Sequence, residues 1–389
     1  MVAKDTPAAA QGFLRIPQLD GLRGLAILLV IIWHYFSFSL LPQAGSLSAY
    51  FMDILRLSWS GVDLFFVLSG FLIGGILIDN QQAKNYFHVF YLRRALRILP
   101  LYFSWLLLFY VLQISSLPRG ADALFEGTIP IWSYATFTQN FLMSYQDNLG
   151  ALWMGVTWSL AVEEQFYCVL PLIIRFLQPR KLPWLLIPCI AAAPLLRVTL
   201  SFWFPNGALA AYVLMPCRAD ALLLGVMCAW MVRQQKIAQL LVTHIKALYA
   251  IFAVLLLGMG VLAVTYNPYF SFGWQNLGYT WLDLLYACLL LIAITEQRGV
   301  VKAVTTNMLL RRLGLVAYCT YLIHSVVLFL SHGLIFQFPK VHYVSYITTL
   351  ILALTATLAV AALSWKFFEK PLVAMGHRIH YRNGGSSAQ

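Results

Sequence analysis

Long apolar runs alternate along the whole chain with short polar, basic or Gly/Pro-containing stretches. A helix needs about twenty predominantly apolar residues to cross the hydrocarbon core of a bilayer. Ten runs meet that length, over residues 21–41, 59–78, 98–116, 157–177, 183–203, 212–232, 247–266, 277–296, 313–336 and 345–368. The pattern predicts an all-α polytopic membrane protein with about ten transmembrane helices and no separate soluble domain. The longest outer connection, residues 117–156, contains IWSYATFTQNFLMSYQDNLGALW and predicts a partly ordered cap. The organisation read from this pattern is an N-terminal segment (1–18), a membrane domain (19–373) and a disordered tail (374–389). The first run is long enough to span and ends in no small-residue cleavage site, so it reads as a signal anchor.

Basic residues assign the sides. Of 26 lysines and arginines, 21 fall at the N-terminus, at the C-terminus or in the loops that follow even-numbered runs. The other five are Arg56, Arg119, Arg197, Arg218 and Lys340. The positive-inside rule then puts both termini in the cytoplasm. Composition agrees: 61% of residues are hydrophobic, only 10% are charged, and mean hydropathy is +0.77. A net charge of +12 here records orientation and contact with anionic membrane lipids, and nucleic acid is not expected as a partner. The six cysteines stand singly in apolar segments with no C-x-x-C spacing, which predicts inert core residues. No histidine shows metal-ligand spacing, so no metal is expected.

Ionisable groups inside spans are rare and costly, and each one points to a site. In LDGLRGLAILLVIIWH, eleven residues separate Arg23 from His34. At 100° per residue that is three turns plus about 20°, placing both on one face about 16 Å apart along the axis. Asp63 opens the second span. Arg93, Arg94 and Arg97 crowd the cytoplasmic approach to the third, where guanidiniums suit phosphate oxygens and lipid headgroups alike. The fourth span opens TWSLAVEEQFY, in which Ser159, Glu163 and Tyr167 share a stripe while Glu164 points about 100° away. Arg218 and Asp220 in the sixth span, Arg197 in the fifth and Asp283 in the eighth add outer-half charges. His324 sits mid-membrane in the ninth, as a satisfied interhelical histidine or a site residue. A basic inner mouth, a mid-membrane histidine and outer carboxylates fit acyl transfer from a phosphate-bearing donor, with His34 as general base. A proton-coupled transporter uses the same residue types.

Seven stretches in series, LDGLRGLAILLVIIWH, GVDLFFVLSGFLI, RRALRILPLY, TWSLAVEEQFY, RADALLLG, LGLVAYCTYLIH and FFEKPL, resemble the acyltransferase-3 family. They run in order from about residue 15 to 373. Members of that family are membrane O-acyltransferases of bacterial surface polysaccharides and other glycans, usually with ten spans. The resemblance implies a bacterial inner-membrane enzyme with no tightly bound cofactor. Its donor substrate would be acyl-CoA, acetyl-CoA by family frequency, and its acceptor a glycan or lipid-linked saccharide. The family's Arg-x10-His pattern falls on Arg23 and His34, its Arg-x-x-Arg pattern on Arg94 and Arg97, and its W-S-L-x-V-E pattern on Trp158 to Glu163. His34, Arg23 and Glu163, with Glu164 in reserve, are then the expected catalytic groups. Arg93, Arg94, Arg97 and Arg23 are expected at the donor, and Asp63, Trp158, Arg218, Asp220 and His324 near the acceptor. Some members carry an esterase-like domain after the membrane part, so passing the acyl group to a separate partner stands as an alternative to direct transfer.

Overall fold

The computed structural model describes residues 16–37, 55–115, 125–204, 207–266, 271–336 and 343–382, the side chains of 37, 56, 332–336 and 343–346 excepted. Most of the N-terminal segment, residues 116–124 of the outer connection and the end of the tail (383–389) therefore lie outside the described residues. Among the described residues ten long helices carry the fold: α1 (Pro17–Ile32), α2 (Gly61–Asp79), α3 (Tyr86–Ile114), α4 (Trp158–Phe176) and α5 (Leu182–Trp203), followed by α6 (Met215–Met231), α7 (Ile245–Thr265), α8 (Tyr279–Thr295), α9 (Met308–Phe336) and α10 (Tyr343–Ser364). Among the described residues there is no strand. That follows from the solvent: hydrocarbon offers no hydrogen bonds, so each spanning segment must satisfy its own backbone. Nine stretches are apolar and long enough to cross a membrane among the described residues. The tenth long helix, α4, coincides with the expected run 157–177 but carries Glu163, Glu164 and Arg175 within its length.

Two boundaries differ most from the sequence pattern. The third helix starts at Tyr86, twelve residues before the expected 98, so Arg93, Arg94 and Arg97 lie on its first turns. Pro100 does not break it, because a membrane helix tolerates the loss of one backbone bond; the Pro100 carbonyl accepts from Ser104 Oγ (2.8 Å). Residues 374–382, expected to be disordered, are ordered instead. A helix runs over Lys370–His377, and residues 378–382 are fastened to the start of α3 by hydrogen bonds. Cys168 and Cys189 are exposed, contrary to the expectation of core cysteines, because they occupy the outward faces of α4 and α5.

The centre is built from α1, α2, α6 and α9. α1 packs on α9 and α2, and α2 packs on α6, α4 and α8. α7 rests on α8 and α10 on α9 at the periphery, where exposed Leu257, Val261 and Val264 face the hydrocarbon. Glycines set the crossings of α1 with α9 and of α2 with α6. A Cβ on Gly24 would collide with the Leu310 carbonyl, and one on Gly70 with the Leu222 carbonyl. Contact pairs rise together along α1 and α9 (Gly24–Leu310, His34–His324) and along α2 and α6 (Gly70–Leu222, Gly74–Val226), so both pairs run parallel. Alternating crossings require that of helices an even number of spans apart. Gly70→Ala is expected to destabilise the protein by about 1–3 kcal/mol through overpacking, read as a lower unfolding temperature in detergent.

The described part of the connection between α3 and α4, residues 125–157, forms an ordered cap. Short helices over Ile131–Ala135, Gln139–Gln146 and Leu152–Gly155 pack at one end of the bundle. Gln139 Nε2 donates to the Thr157 carbonyl (2.9 Å), Asn140 Nδ2 to the Val213 carbonyl (3.1 Å), and Trp153 packs on Trp105 and Phe109.

Candidate active site

A cavity of about 260 Å³ lies between α1, α2, α3, α4 and α9. Its length follows α2, where Val62, Phe65, Ser69, Ile73 and Ile76 recur at three- and four-residue spacing on one face. Fourteen residues of helix correspond to about 21 Å, so the cavity is a long lane with mostly apolar walls. Arg23, Arg94, Arg97 and His377 line it together with Glu163. Three guanidiniums thus face a low-dielectric space that contains a single lining carboxylate. Such an excess of positive charge favours an anion with several acceptor oxygens, phosphate above all.

Helical spacing explains the selection among the arginines. Arg94 and Arg97 are one turn apart on the face of α3 that meets the lane, and Arg93 is rotated about 100° away from Arg94. Arg93 donates from Nε and Nη2 to the Ile379 carbonyl (3.0 and 2.6 Å), and its guanidinium lies 5.2 Å over the Tyr381 ring. The structure therefore separates Arg93 from the other two. The stripe on α4 does reach the lane: Ser159, Glu163 and Tyr167 all line it, whereas Glu164 does not. Tyr167 donates its hydroxyl proton to Glu163 Oε2 (3.1 Å) and closely contacts Ser69 Oγ, which must then be the donor to Tyr167.

At the end away from the arginines, Ser159 Oγ and the Tyr321 hydroxyl are 2.7 Å apart. The Tyr321 ring lies 5.8 Å from His324, and His324 lies 4.5 Å from His34 at 74° between ring planes. His34 itself is not a lining residue. Regular α-helix ends at Ile32, and His34 occupies a wider π-type turn over Trp33–Ser37 that rotates it toward α9. Its Nδ1 is 2.9 Å from the Val30 carbonyl. A carbonyl only accepts, so Nδ1 carries the proton of the neutral ring and Nε2 is the basic nitrogen. His324 is buried. Its Nδ1 is 2.7 Å from the Tyr321 carbonyl, and Nε2 is 3.2 Å from Ser325 Oγ. Both of its nitrogens therefore have partners, and both partners belong to α9 itself rather than to a neighbouring helix.

The remaining charged residues form a separate buried layer. Asp63 pairs with Arg218, whose guanidinium lies 4.0 Å over the Tyr279 ring. Arg197 holds Asp220 through Nη1 (3.2 Å) and Nη2 (2.9 Å), and Thr280 Oγ1 bridges the same two groups at 2.6 Å each. Asp63, Arg218 and Asp220 thus tie α2, α5, α6 and α8 together, and none of them lines the lane. Trp158 lies off the lane too, 4.4 Å from the Tyr212 ring and 5.9 Å from Phe66. The lane also includes Ser69, Tyr318, Tyr321 and His377, which the sequence pattern did not single out. A usable signal existed for Tyr321, which precedes His324 by one turn. Among the described residues no group of three or more His, Cys, Asp or Glu side chains could hold a metal ion.

Comparison with known proteins adds three findings. Residues 16–366 match the family model described as "Acyltransferase domain". Peptidoglycan O-acetyltransferase OatA of Listeria monocytogenes is 25% identical over 384 residues, covering 95% of this chain and 57% of that protein. O-acetyltransferase OatA of Staphylococcus aureus is 27% identical over 387 residues, covering 93% of this chain and 58% of that one. The chain therefore spans a little over half the length of these curated relatives. No solved structure matches it.

Proposed function

The chain belongs to the acyltransferase-3 family, and from that premise we propose that it is an O-acetyltransferase of a bacterial cell membrane. It takes the acetyl group from cytoplasmic acetyl-CoA and places it on a hydroxyl of a cell-surface glycan. The observation that carries this reading is the convergence of Arg23, Arg94 and Arg97 on one lane whose far end approaches the His34–His324 pair. The positive-inside bias puts the arginine end at the cytoplasm.

In this scheme the donor's diphosphate lies at Arg94 and Arg97, with Arg23 beside it. The extended pantetheine arm follows the apolar wall of α2. Glu163, oriented by Tyr167, is placed to accept from an amide N–H of that arm. The thioester comes to the Ser159–Tyr321 end, and His34 Nε2 takes the proton of the acceptor hydroxyl. The hydroxyl oxygen attacks the thioester carbonyl, the C–S bond breaks, and the imidazolium returns its proton to the leaving thiolate. His324 packs against His34 and holds its plane. Because the Listeria relative is named for peptidoglycan, a peptidoglycan fragment is the first acceptor to test.

The test is transfer itself. Purified protein in proteoliposomes with labelled acetyl-CoA and peptidoglycan fragments should give acetylated glycan and free CoA in equal amounts. CoA release without glycan modification would replace direct transfer by an acyl relay to another protein. Failure to bind acetyl-CoA would refute the reading. Within it, Arg94→Ala and Arg97→Ala are each expected to raise KM for acetyl-CoA about tenfold to a hundredfold, since a hydrogen bond to a charged group contributes about 1.5–3 kcal/mol. Initial rates across donor concentrations measure this, and kcat should change less than KM.

A further inference from the structure

After the helix over Lys370–His377 the chain turns and lies against the start of α3 as a strap. Lys84 N–H donates to the Arg382 carbonyl (3.0 Å). Asn85 Nδ2 donates to the His380 carbonyl (3.0 Å), and its Oδ1 accepts from Arg382 N–H (2.8 Å). Arg93 donates twice to the Ile379 carbonyl. All these bonds use the backbone of the strap, so the side chains of Arg378, His380 and Arg382 take no part in fastening it. They gather instead, with His88 and Asn85, around an open pocket of about 520 Å³. Its lining holds two guanidiniums, two imidazoles and no carboxylate. Like charges held together raise each other's energy, and an anion between them removes that cost. Asn85 and the imidazoles add further hydrogen-bond donors.

The pocket lies in line with the lane. His377 lines the lane and Arg378, the next residue, lines the pocket. On α3, His88 precedes Arg94 and Arg97 by six and nine residues, or about 9 and 14 Å along the axis. Two anion sites are thus stacked at the same end of the bundle, one deep and one superficial, within reach of a single ligand carrying two separated phosphate groups.

We propose that this pocket is a phosphomonoester subsite that takes the ribose 3′-phosphate of the coenzyme A donor while the diphosphate lies at Arg94 and Arg97. The inference rests on the acyl-CoA reading above and deepens it. Among pantetheine thioesters, a carrier-protein thioester has only the phosphate next to pantetheine, whereas free acyl-CoA has the additional 3′-phosphate. The pocket therefore selects the free nucleotide thioester. Arg93 becomes a positioning residue, which touches no donor and holds the strap that presents Arg378 and Arg382.

The experiment compares acetyl-CoA with its 3′-dephospho analogue as donors for the full chain in vesicles, with and without phosphatidylglycerol. Wild type is expected to show a KM about tenfold lower or better for acetyl-CoA, the size of one charged contact at an exposed site. Arg378→Ala combined with Arg382→Ala should bring the ratio of the two KM values close to one. Arg93→Leu, which removes no lining charge, should also reduce the ratio by releasing the strap. A ratio near one in wild type, or an unchanged ratio in the double variant, overturns the proposal while leaving the acyl-CoA reading standing. Variants that keep the donor ratio but lose a response to phosphatidylglycerol would assign the pocket to a lipid headgroup and also overturn it. A wild type that uses neither donor overturns both readings.

Discussion

His34→Ala is expected to lower the rate of acetyl transfer about 10²–10⁴-fold, the usual contribution of a positioned general base. The loss should fall on kcat. In the proposed scheme the donor's anion is met by Arg23, Arg94 and Arg97 on the lane, and His34 does not line that lane, so KM for acetyl-CoA should stay within a few-fold of wild type. Geometry supports the base role through the ring's orientation. The bond from Nδ1 to the Val30 carbonyl fixes the tautomer, and the contact with His324 fixes the plane. His34→Gln keeps a similar size without a base of comparable strength, so it should be as poor as alanine. His324→Ala should cost less, because both nitrogens of His324 are already engaged and the residue acts through its neighbour. Single-turnover transfer of labelled acetyl, measured beside donor binding, separates the two effects. A His34→Ala protein that folds, binds donor and transfers at the wild-type rate would remove His34 from the chemistry.

Arg197→Met is expected to destabilise the protein by about 3–5 kcal/mol, the cost of stranding a charge when one partner of a buried pair is removed. Arg197 and Asp220 are both 0% exposed, and the substitution would leave Asp220 with Thr280 as its hydrogen-bond partner. Asp283 is buried in the same layer with neither carboxylate oxygen hydrogen-bonded among the described residues, so the layer would also lose one of its two arginines. The pair joins α5 to α6, and Thr280 brings in α8. Unfolding should therefore start by separating those helices. Arg197→Met with Asp220→Asn should recover a good part of the loss, since the stranded charge is gone. Thermal unfolding in lipid or detergent reports both, and an unchanged transition in the single variant would show that the layer does not hold the bundle together.

The residues that matter most in these experiments were visible in the sequence because they break a strong rule. A guanidinium, a carboxylate pair or an imidazole in an apolar run is conspicuous wherever it folds. Residue spacing also separated Glu163 from Glu164 and marked Arg94 with Arg97 as a pair. It could not separate ligand-facing charges from mutually satisfied ones. Asp63, Arg218 and Asp220 look as functional in the sequence as Arg23 does, yet they pair with each other or with Arg197 across helices distant in the chain.

Hydrophobic periodicity by itself determined the helices, because a backbone in hydrocarbon has few other ways to satisfy its hydrogen bonds. It also exposed the polar residues placed inside them. Only the tertiary structure decided the rest. The register of α1 beyond Ile32 changes at a wide turn, and that turn brings His34 to His324, 290 positions further along the chain. Helix crossings put Arg23 of α1 beside Arg94 and Arg97 of α3, and the returning C-terminus drew Arg93 away from them. Contacts of this kind depend on the relative rotation and depth of separate helices, and local periodicity carries no information about either.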